Sequence, residues 1–301
     1  MGVLLALVNV IVPVLVVAGA GFVVGRIYPL DAGTISKISL NVLTPALCLQ
    51  VLLTTEVSGQ VGLTLIGAYV VVTLVGVALG GILTPGVGGS TRRGVMLSVG
   101  LSNSGNMGLP IALFALGQAG FEQSVLIFLA SVVLGFIIGP LLLGSGGGVL
   151  PALKALLKFP ALWAIAVALV MRWLGWSLPG GVMSGVEMLA GATLPIVLLA
   201  LGIQLGATKK VRLTRPVWTA SILRVAVMPV VSLGIGLLFG LRGVPLQALV
   251  LAGAMPTAVN AFLLALEYKG DVRTVADSVT LSTILSFISA ALVTAALPLI
   301  A

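Results

Sequence analysis

Two short segments of this 301-residue chain carry the side chains best suited to chemistry: Ser102-Asn103-Ser104-Gly105-Asn106-Met107-Gly108-Leu109-Pro110 and Gly253-Ala254-Met255-Pro256-Thr257-Ala258-Val259-Asn260. Each lies inside an otherwise apolar stretch. Proline removes an amide donor, and small residues and asparagine can satisfy the carbonyls this frees. A helix broken there presents bare backbone amides with partial positive charge, an arrangement suited to an anion. The candidate binding residues are Asn103, Ser104, Gly105, Asn106 and Pro110 in the first segment and Pro256, Thr257 and Asn260 in the second. A proline kink packed through small residues explains either segment alone. The pair at matched depth points to a site.

Other chemistries find little footing. Histidine is absent, which removes the commonest general base and metal ligand together. Cys48, the one cysteine, lies in an apolar segment without a partner. An intramembrane enzyme would need a nucleophile beside a base, and no such pair is legible. The sequence therefore predicts no catalytic residues, no metal and no cofactor.

The elements that must position the two segments follow from composition. Hydrophobic residues make up 59% of the chain and charged residues 7%, with a mean hydropathy of +1.29. An ordinary soluble domain is about a quarter charged, so a water-soluble globule is excluded and a polytopic membrane protein is predicted. Ten apolar segments are read, at 3–25, 33–54, 60–82, 94–118, 121–143, 159–176, 182–206, 216–240, 245–268 and 273–299. None alternates apolar and polar with period two, so they are helices rather than barrel strands. The first run is too long and lacks the basic leader for a cleavable signal peptide.

Charge placement orients these spans. Arg26, Lys37, Arg92, Arg93, Lys154, Lys158, Lys209, Lys210, Arg212, Arg215, Lys269 and Arg273 fall on one side, Arg172 and Arg242 on the other, and Arg224 inside span 8. By the positive-inside rule the rich side is cytoplasmic, which puts both termini on the non-cytoplasmic face of the cell (inner) membrane. The net charge of +8 is thereby a matter of topology and lipid contact, not of nucleic-acid binding. Trp163, Trp173, Trp176 and Trp218 near span ends read as an aromatic belt.

A faint echo runs at an offset of 150: Pro45 matches Pro195, Asn106 matches Pro256 and Gly120 matches Gly270. It divides the chain into a first five-helix repeat, 1–143, a cytoplasmic linker, 144–158, and a second repeat, 159–301. Five is odd, so the repeats cross the membrane in opposite senses, an architecture of transporters with a midplane site. The fold class read from the sequence is an all-α polytopic membrane protein. Its ten transmembrane helices form two inverted five-helix repeats with crossed broken helices in spans 4 and 9.

The residues then support a resemblance. Leu101-Ser-Asn-Ser-Gly-Asn-Met-Gly-Leu-Pro110 resembles the helix 4 signature of the auxin efflux carrier family. Ala254-Met-Pro-Thr-Ala-Val-Asn-Ala-Phe-Leu-Leu-Ala-Leu-Glu-Tyr268 resembles its helix 9 signature. The resemblance covers the whole chain in helix count, orientation and repeat. It implies the fold shared with bile acid:sodium symporters, with spans 1, 2, 6 and 7 as a scaffold domain that dimerises and spans 3–5 and 8–10 as a transport domain. It places Asn103 and Pro110 on one arm of a crossover and Pro256 and Asn260 on the other. Ala261 stands where plant members have a second proline, and the short 144–158 linker replaces their long hydrophilic loop, so the chain is similar to a compact prokaryotic member.

No carboxylate lies at the expected midplane, since Glu56, Glu122 and Glu187 fall near outer ends and Asp31, Glu267, Asp271 and Asp277 near cytoplasmic ends. A neutral crossover flanked by positive helix ends favours an anion, most simply a carboxylate; the resemblance implies malonate, malate or an auxin-like indole acid. Secondary candidates are Asn41, Thr44 and Pro45 in span 2, Pro195 in span 7, and Arg224, which either holds an anion, snorkels to the interface or pairs with Asp277. Ser131, Ser282, Thr283 and Ser286 are candidates to support the crossover, or simply bond their own helix. The relatives' sodium-binding crossover glutamate, implied by the resemblance, has no equivalent near Asn260. Ser102, Ser104 and Thr257 are left as sodium ligands, so sodium-independent transport is favoured while Na+ or H+ coupling stays open. The expected function is secondary active or facilitative transport of a small organic anion by elevator-type alternating access. The alternatives are a sodium-coupled organic solute symporter and a membrane ligand sensor without transport.

Overall fold

The computed structural model describes residues 7–54, 59–144, 157–208 and 211–300. Glu56, Lys154, Lys209, Lys210 and most of the 144–158 linker lie outside the described residues. Among those described the chain is helical throughout, with one isolated β-bridge. The helices are α1 (Val12–Ile27), α2 (Ala32–Ile38), α3 (Thr44–Thr54), α4 (Gly59–Ile82), α5 (Gly89–Gly100), α6 (Leu109–Leu143), α7 (Pro160–Leu174), α8 (Gly180–Ala207), α9 (Arg215–Ile222), α10 (Met228–Leu238), α11 (Gly243–Ala254), α12 (Val259–Glu267) and α13 (Val272–Ala296).

Four π-helical turns interrupt this series, at Leu7–Ile11, Ser39–Leu43, Ser104–Gly108 and Leu223–Val227. Each ends one residue short of an X-Pro pair: Val12-Pro13, Thr44-Pro45, Leu109-Pro110 and Met228-Pro229. Proline has no amide to donate and its ring presses on the carbonyl of the preceding turn, so a wider turn relieves the clash. Pro45, a secondary candidate of span 2, thus follows closely on a π turn. Pro195 instead lies inside α8 with no such turn.

Among the described residues seven helices are long and apolar enough to cross a membrane: Val8–Ile27, Gly33–Thr54, Gly59–Ile82, Ser104–Leu143, Gly180–Ala207, Arg215–Leu238 and Val272–Ile300. Two further apolar helices, Pro160–Leu174 and Gly243–Ala254, are shorter. The ten segments read from the sequence differ for local reasons. Span 4 begins in α5 but its second part runs on into span 5 as one helical stretch. The only non-helical residue within that stretch is Gly117, at φ 67° and ψ −162°. That conformation suits glycine, which has no Cβ to clash. The break between spans 4 and 5, read from the sequence between 118 and 121, therefore falls at Gly117.

The chain divides into two compact units. One comprises Leu15–Val57 and Lys154–Ala207 and holds most of α1 together with α2, α3, α7 and α8. Here α1 and α8 cross at backbone contact, because glycines leave no side chain between them. A Cβ on Gly202 would lie 1.9 Å from the Ala18 carbonyl oxygen, and one on Gly21 would lie 2.3 Å from that of Leu199. Small residues of this kind are how helices approach one another in lipid. Polar side chains secure the packing through backbone carbonyls: Arg172 donates to Leu52 O at 2.7 Å and Arg26 to Gly206 O at 3.3 Å.

The other unit comprises Met1–Val14, Ser58–Leu153 and Thr208–Ala301, and so holds α4–α6 and α9–α13. Its core joins Leu65, Tyr69, Val95, Ile127, Met228, Leu246 and Leu249 in one cluster. Leu97, Leu101, Ile138, Leu264, Val275 and Val279 form a second. Between these clusters the chain breaks twice.

Candidate functional site

The first break lies between α5, which ends at Gly100, and the π turn that begins at Ser104; the second separates α11, ending at Ala254, from α12, starting at Val259. At both, the backbone turns extended, at Leu101 (φ −94°, ψ 110°) and at Met255 (φ −70°, ψ 147°). The extended pieces pair. Ser102 and Thr257 form an antiparallel bridge, in which Asn103 N donates to Pro256 O at 2.7 Å and Ala258 N donates to Leu101 O at 2.8 Å. Pro256 can accept but not donate, and this pairing asks only for its carbonyl. Backbone groups that a single broken helix would leave bare in an apolar interior are thus satisfied by the other break.

The bridge joins Asn103 to Pro256 and sets Thr257 opposite Ser102, while Ser104, Gly105, Asn106 and Pro110 follow along the first segment and Asn260 lies in the first turn of α12. Asn103 is buried, and its side-chain oxygen caps the π turn by accepting from Asn106 N at 3.2 Å. Its Nδ2 is buried without a hydrogen-bond partner among the described residues. Ser104, Gly105 and Pro110 are buried, while Asn106 and Asn260 are partly exposed. A Cβ on Gly105 would sit 2.6 Å from the Phe128 ring, so only glycine lets that ring pack there. Thr257 is held twice: its hydroxyl donates to Ser98 O at 2.8 Å and its amide donates to Ser282 Oγ at 3.0 Å. A cavity of about the size of one water adjoins Ser104, between Gly108, Ser124, Ile127, Leu251 and Ala252.

Two contributions were not legible from the motifs. Tyr69 of α4 places its hydroxyl 2.8 Å from Ser102 Oγ and 3.3 Å from Ser104 Oγ, and the two serine hydroxyls lie 2.6 Å apart. A tyrosine in the middle of an apolar span, away from either interface, was the available signal. Arg224 is the second. Its guanidinium neither snorkels nor pairs with Asp277. It is 1% exposed and donates to Val99 O at 2.7 Å, Gly253 O at 2.8 Å, Met255 O at 3.1 Å and Ala252 O at 3.3 Å. Both half-helices that end at the crossing, α5 and α11, are therefore capped by one cation.

Of the expected supporting hydroxyls, Ser131 and Thr283 bond carbonyls of their own helices. Ser286 bonds Thr283 O and also reaches Met107 Sδ at 3.4 Å. Ser282 meets the crossing directly through Thr257. The secondary candidates Asn41, Thr44, Pro45 and Pro195 belong to the other unit. There Asn41 donates to Lys37 O at 2.8 Å, and Thr44 is buried.

Helix ends set the electrostatics. Each terminus is worth about half a unit charge, positive at the N-terminal end and negative at the C-terminal end. The C-terminal ends of α5 and α11 together amount to about −1, which Arg224 balances. The N-terminal ends at Ser104 and Val259 keep about +1, with no carboxylate bonded to them among the described residues. Among the described residues no three of His, Cys, Asp and Glu cluster as a metal site.

The fold defines a multi-pass helical membrane protein in which two broken helices meet, and its similarities are to transporters. Residues 150–294 match the membrane transport protein family, the family of the auxin efflux carriers. The chain is 28% identical over 266 residues to an uncharacterized transporter of Methanothermobacter thermautotrophicus, covering 86% of this chain and 87% of that one. It is 27% identical over 208 residues to an uncharacterized transporter of Methanocaldococcus jannaschii, 66% of each chain. Against an uncharacterized transporter of Escherichia coli the identity is 27% over 141 residues, 47% of this chain and 45% of that one. The family resemblance drawn from the two signatures stands, and with it a multi-pass membrane protein of prokaryotic type.

Proposed function

We propose that this chain carries a small organic anion, a carboxylate, across the cell membrane by elevator-type alternating access, as a secondary active or facilitative transporter. The observation that carries the reading is the charge arrangement at the crossing. Two helix N-terminal ends retain about +1, the unpartnered Nδ2 of Asn103 stands beside one of them, and the opposing C-terminal ends are neutralised by Arg224. One carboxylate matches that charge. In this reading the unit with α4–α6 and α9–α13 is the transport domain, and the unit with most of α1 and with α2, α3, α7 and α8 is a scaffold through which two copies associate. Ten spans in two inverted repeats would place both termini on the non-cytoplasmic face.

The test is charge movement in proteoliposomes on a solid support, challenged with mono- and dicarboxylates such as malonate, malate and indole acids. Radiolabelled counterflow covers electroneutral exchange. The expected result is a saturable response to some carboxylates that Asn103→Ala and Asn260→Ala weaken. If both variants transport at the wild-type rate with unchanged apparent affinity, the site assignment falls.

A further inference from the structure

We propose that Arg224 is a tethered cation that takes the place of a coupling ion at the crossing, so that transport by this chain proceeds without sodium. The proposal rests on the reading of the crossing as the transport site. The carbonyl oxygens of Val99, Ala252, Gly253 and Met255 converge on its guanidinium, none farther than 3.3 Å. Val99 lies in the last turn of α5, Ala252 and Gly253 in the last turn of α11 and Met255 just beyond it. A helix that ends within the membrane leaves its last carbonyls short of amide donors, and Ala252 O also accepts from Met255 N at 3.3 Å. In transporters with broken helices, half-helix C-terminal ends and unwound carbonyls are where sodium or protons bind. Two such ends carry about −1 between them and call for one positive charge.

A sodium ion would supply that charge with oxygen ligands and would be free to leave. Arg224 supplies it covalently, from within the π turn Leu223–Val227, with donors aimed at all four oxygens. A guanidinium stays charged at neutral pH and cannot dissociate from its own chain. The charge balance is then the same at every step of the cycle, and sodium concentration has no hold on it. The hydroxyls nearest the crossing are oriented by other bonds: Thr257 donates to Ser98 O, and Ser102 and Ser104 lie within hydrogen-bond distance of each other and of Tyr69.

The experiment is thermal unfolding of the full chain in detergent, without substrate and at constant ionic strength. In the wild type, replacing choline by sodium or by methylguanidinium leaves the Tm unchanged. In Arg224→Ala the Tm falls, and methylguanidinium at about ten times its Kd restores roughly 3 °C. A sodium-specific rise in the wild type overturns the proposal, as does an Arg224→Ala protein that gains nothing from methylguanidinium. Where Arg224→Ala cannot be recovered folded, Arg224→Lys decides. Its ammonium still fills the place, so it melts below the wild type yet ignores both cations, and a sodium-specific gain in it overturns the proposal. No carboxylate enters this experiment, so the substrate reading can fail in the transport assay while the tethered cation stands, and the reverse holds equally.

Discussion

Ser102 and Thr257 face each other across an antiparallel bridge, and through it two broken helices satisfy each other's backbone. The bridge is closed on the Thr257 side by the hydroxyl bond to Ser98 O at 2.8 Å, a carbonyl near the end of α5. Thr257→Val keeps the shape of the side chain and removes that donor, leaving a buried carbonyl without it. The expected cost is about 1–3 kcal/mol. Thermal unfolding in detergent reads it as a lower Tm, and transport should weaken in parallel because the same backbone presents the α12 N-terminus. An unchanged Tm would show that Ser98 O finds another donor and that the bridge does not depend on this hydroxyl.

Gly105 and Phe128 make a second prediction, one that separates packing from polarity. A Cβ at residue 105 would come within 2.6 Å of the Phe128 ring. Gly105→Ala should therefore cost roughly 1–3 kcal/mol by overpacking. Phe128→Leu shortens the obstructing side chain, so the double variant should recover stability relative to Gly105→Ala alone. Additive losses would mean that the glycine is needed for its backbone and not for the room it leaves.

Much of this arrangement is legible in the sequence. Long apolar runs with no period-two pattern can only be helices in lipid, and the proline, glycine and asparagine clusters mark where two of them break. Register is less legible. The motifs mark where the two helices break but do not say that Ser102 pairs with Thr257, because that pairing is made by backbone groups common to every residue. The partners of Arg224 were beyond reach for a different reason. All four are backbone carbonyls, which leave no trace in residue identity, so the charge reads from the sequence as an anion site or a snorkelling residue.

The N-terminus of α13 should give a pH signature. Burial pushes the Asp271 carboxyl up, but hydrogen bonds from the Thr274 amide and from the Thr91 and Thr274 hydroxyls outweigh it and hold it below its ordinary 3.8. A carboxyl lowered on folding contributes stability that is full above the unfolded value and is lost as pH falls through the lower, folded one. The Tm difference between wild type and Asp271→Asn should therefore hold steady from neutral pH down to about 3.8 and close below it. Thr91→Val should give a smaller difference over the same range. A gap that instead widens on acidification would mean that the carboxyl is raised, with burial dominant.

The crossing of α1 and α8 supplies a test of what holds the other unit together. Gly202 and Gly191 lie on the same helix, yet a Cβ on Gly202 would meet the Ala18 carbonyl oxygen at 1.9 Å while one on Gly191 would meet nothing within 4 Å. Alanine is the better helix former by about 1 kcal/mol, so propensity alone favours both substitutions. Gly191→Ala should accordingly leave the Tm unchanged or raise it. Gly202→Ala should lower it, because backbone cannot yield as a flexible side chain can, and α1 must move off α8. Gly21→Ala, 2.3 Å from Leu199 O, should behave like Gly202→Ala. If all three alanines melt alike, the close approach of the two backbones is not what stabilises this unit, and the bonds from Arg26 and Arg172 to backbone carbonyls become the contacts to remove next.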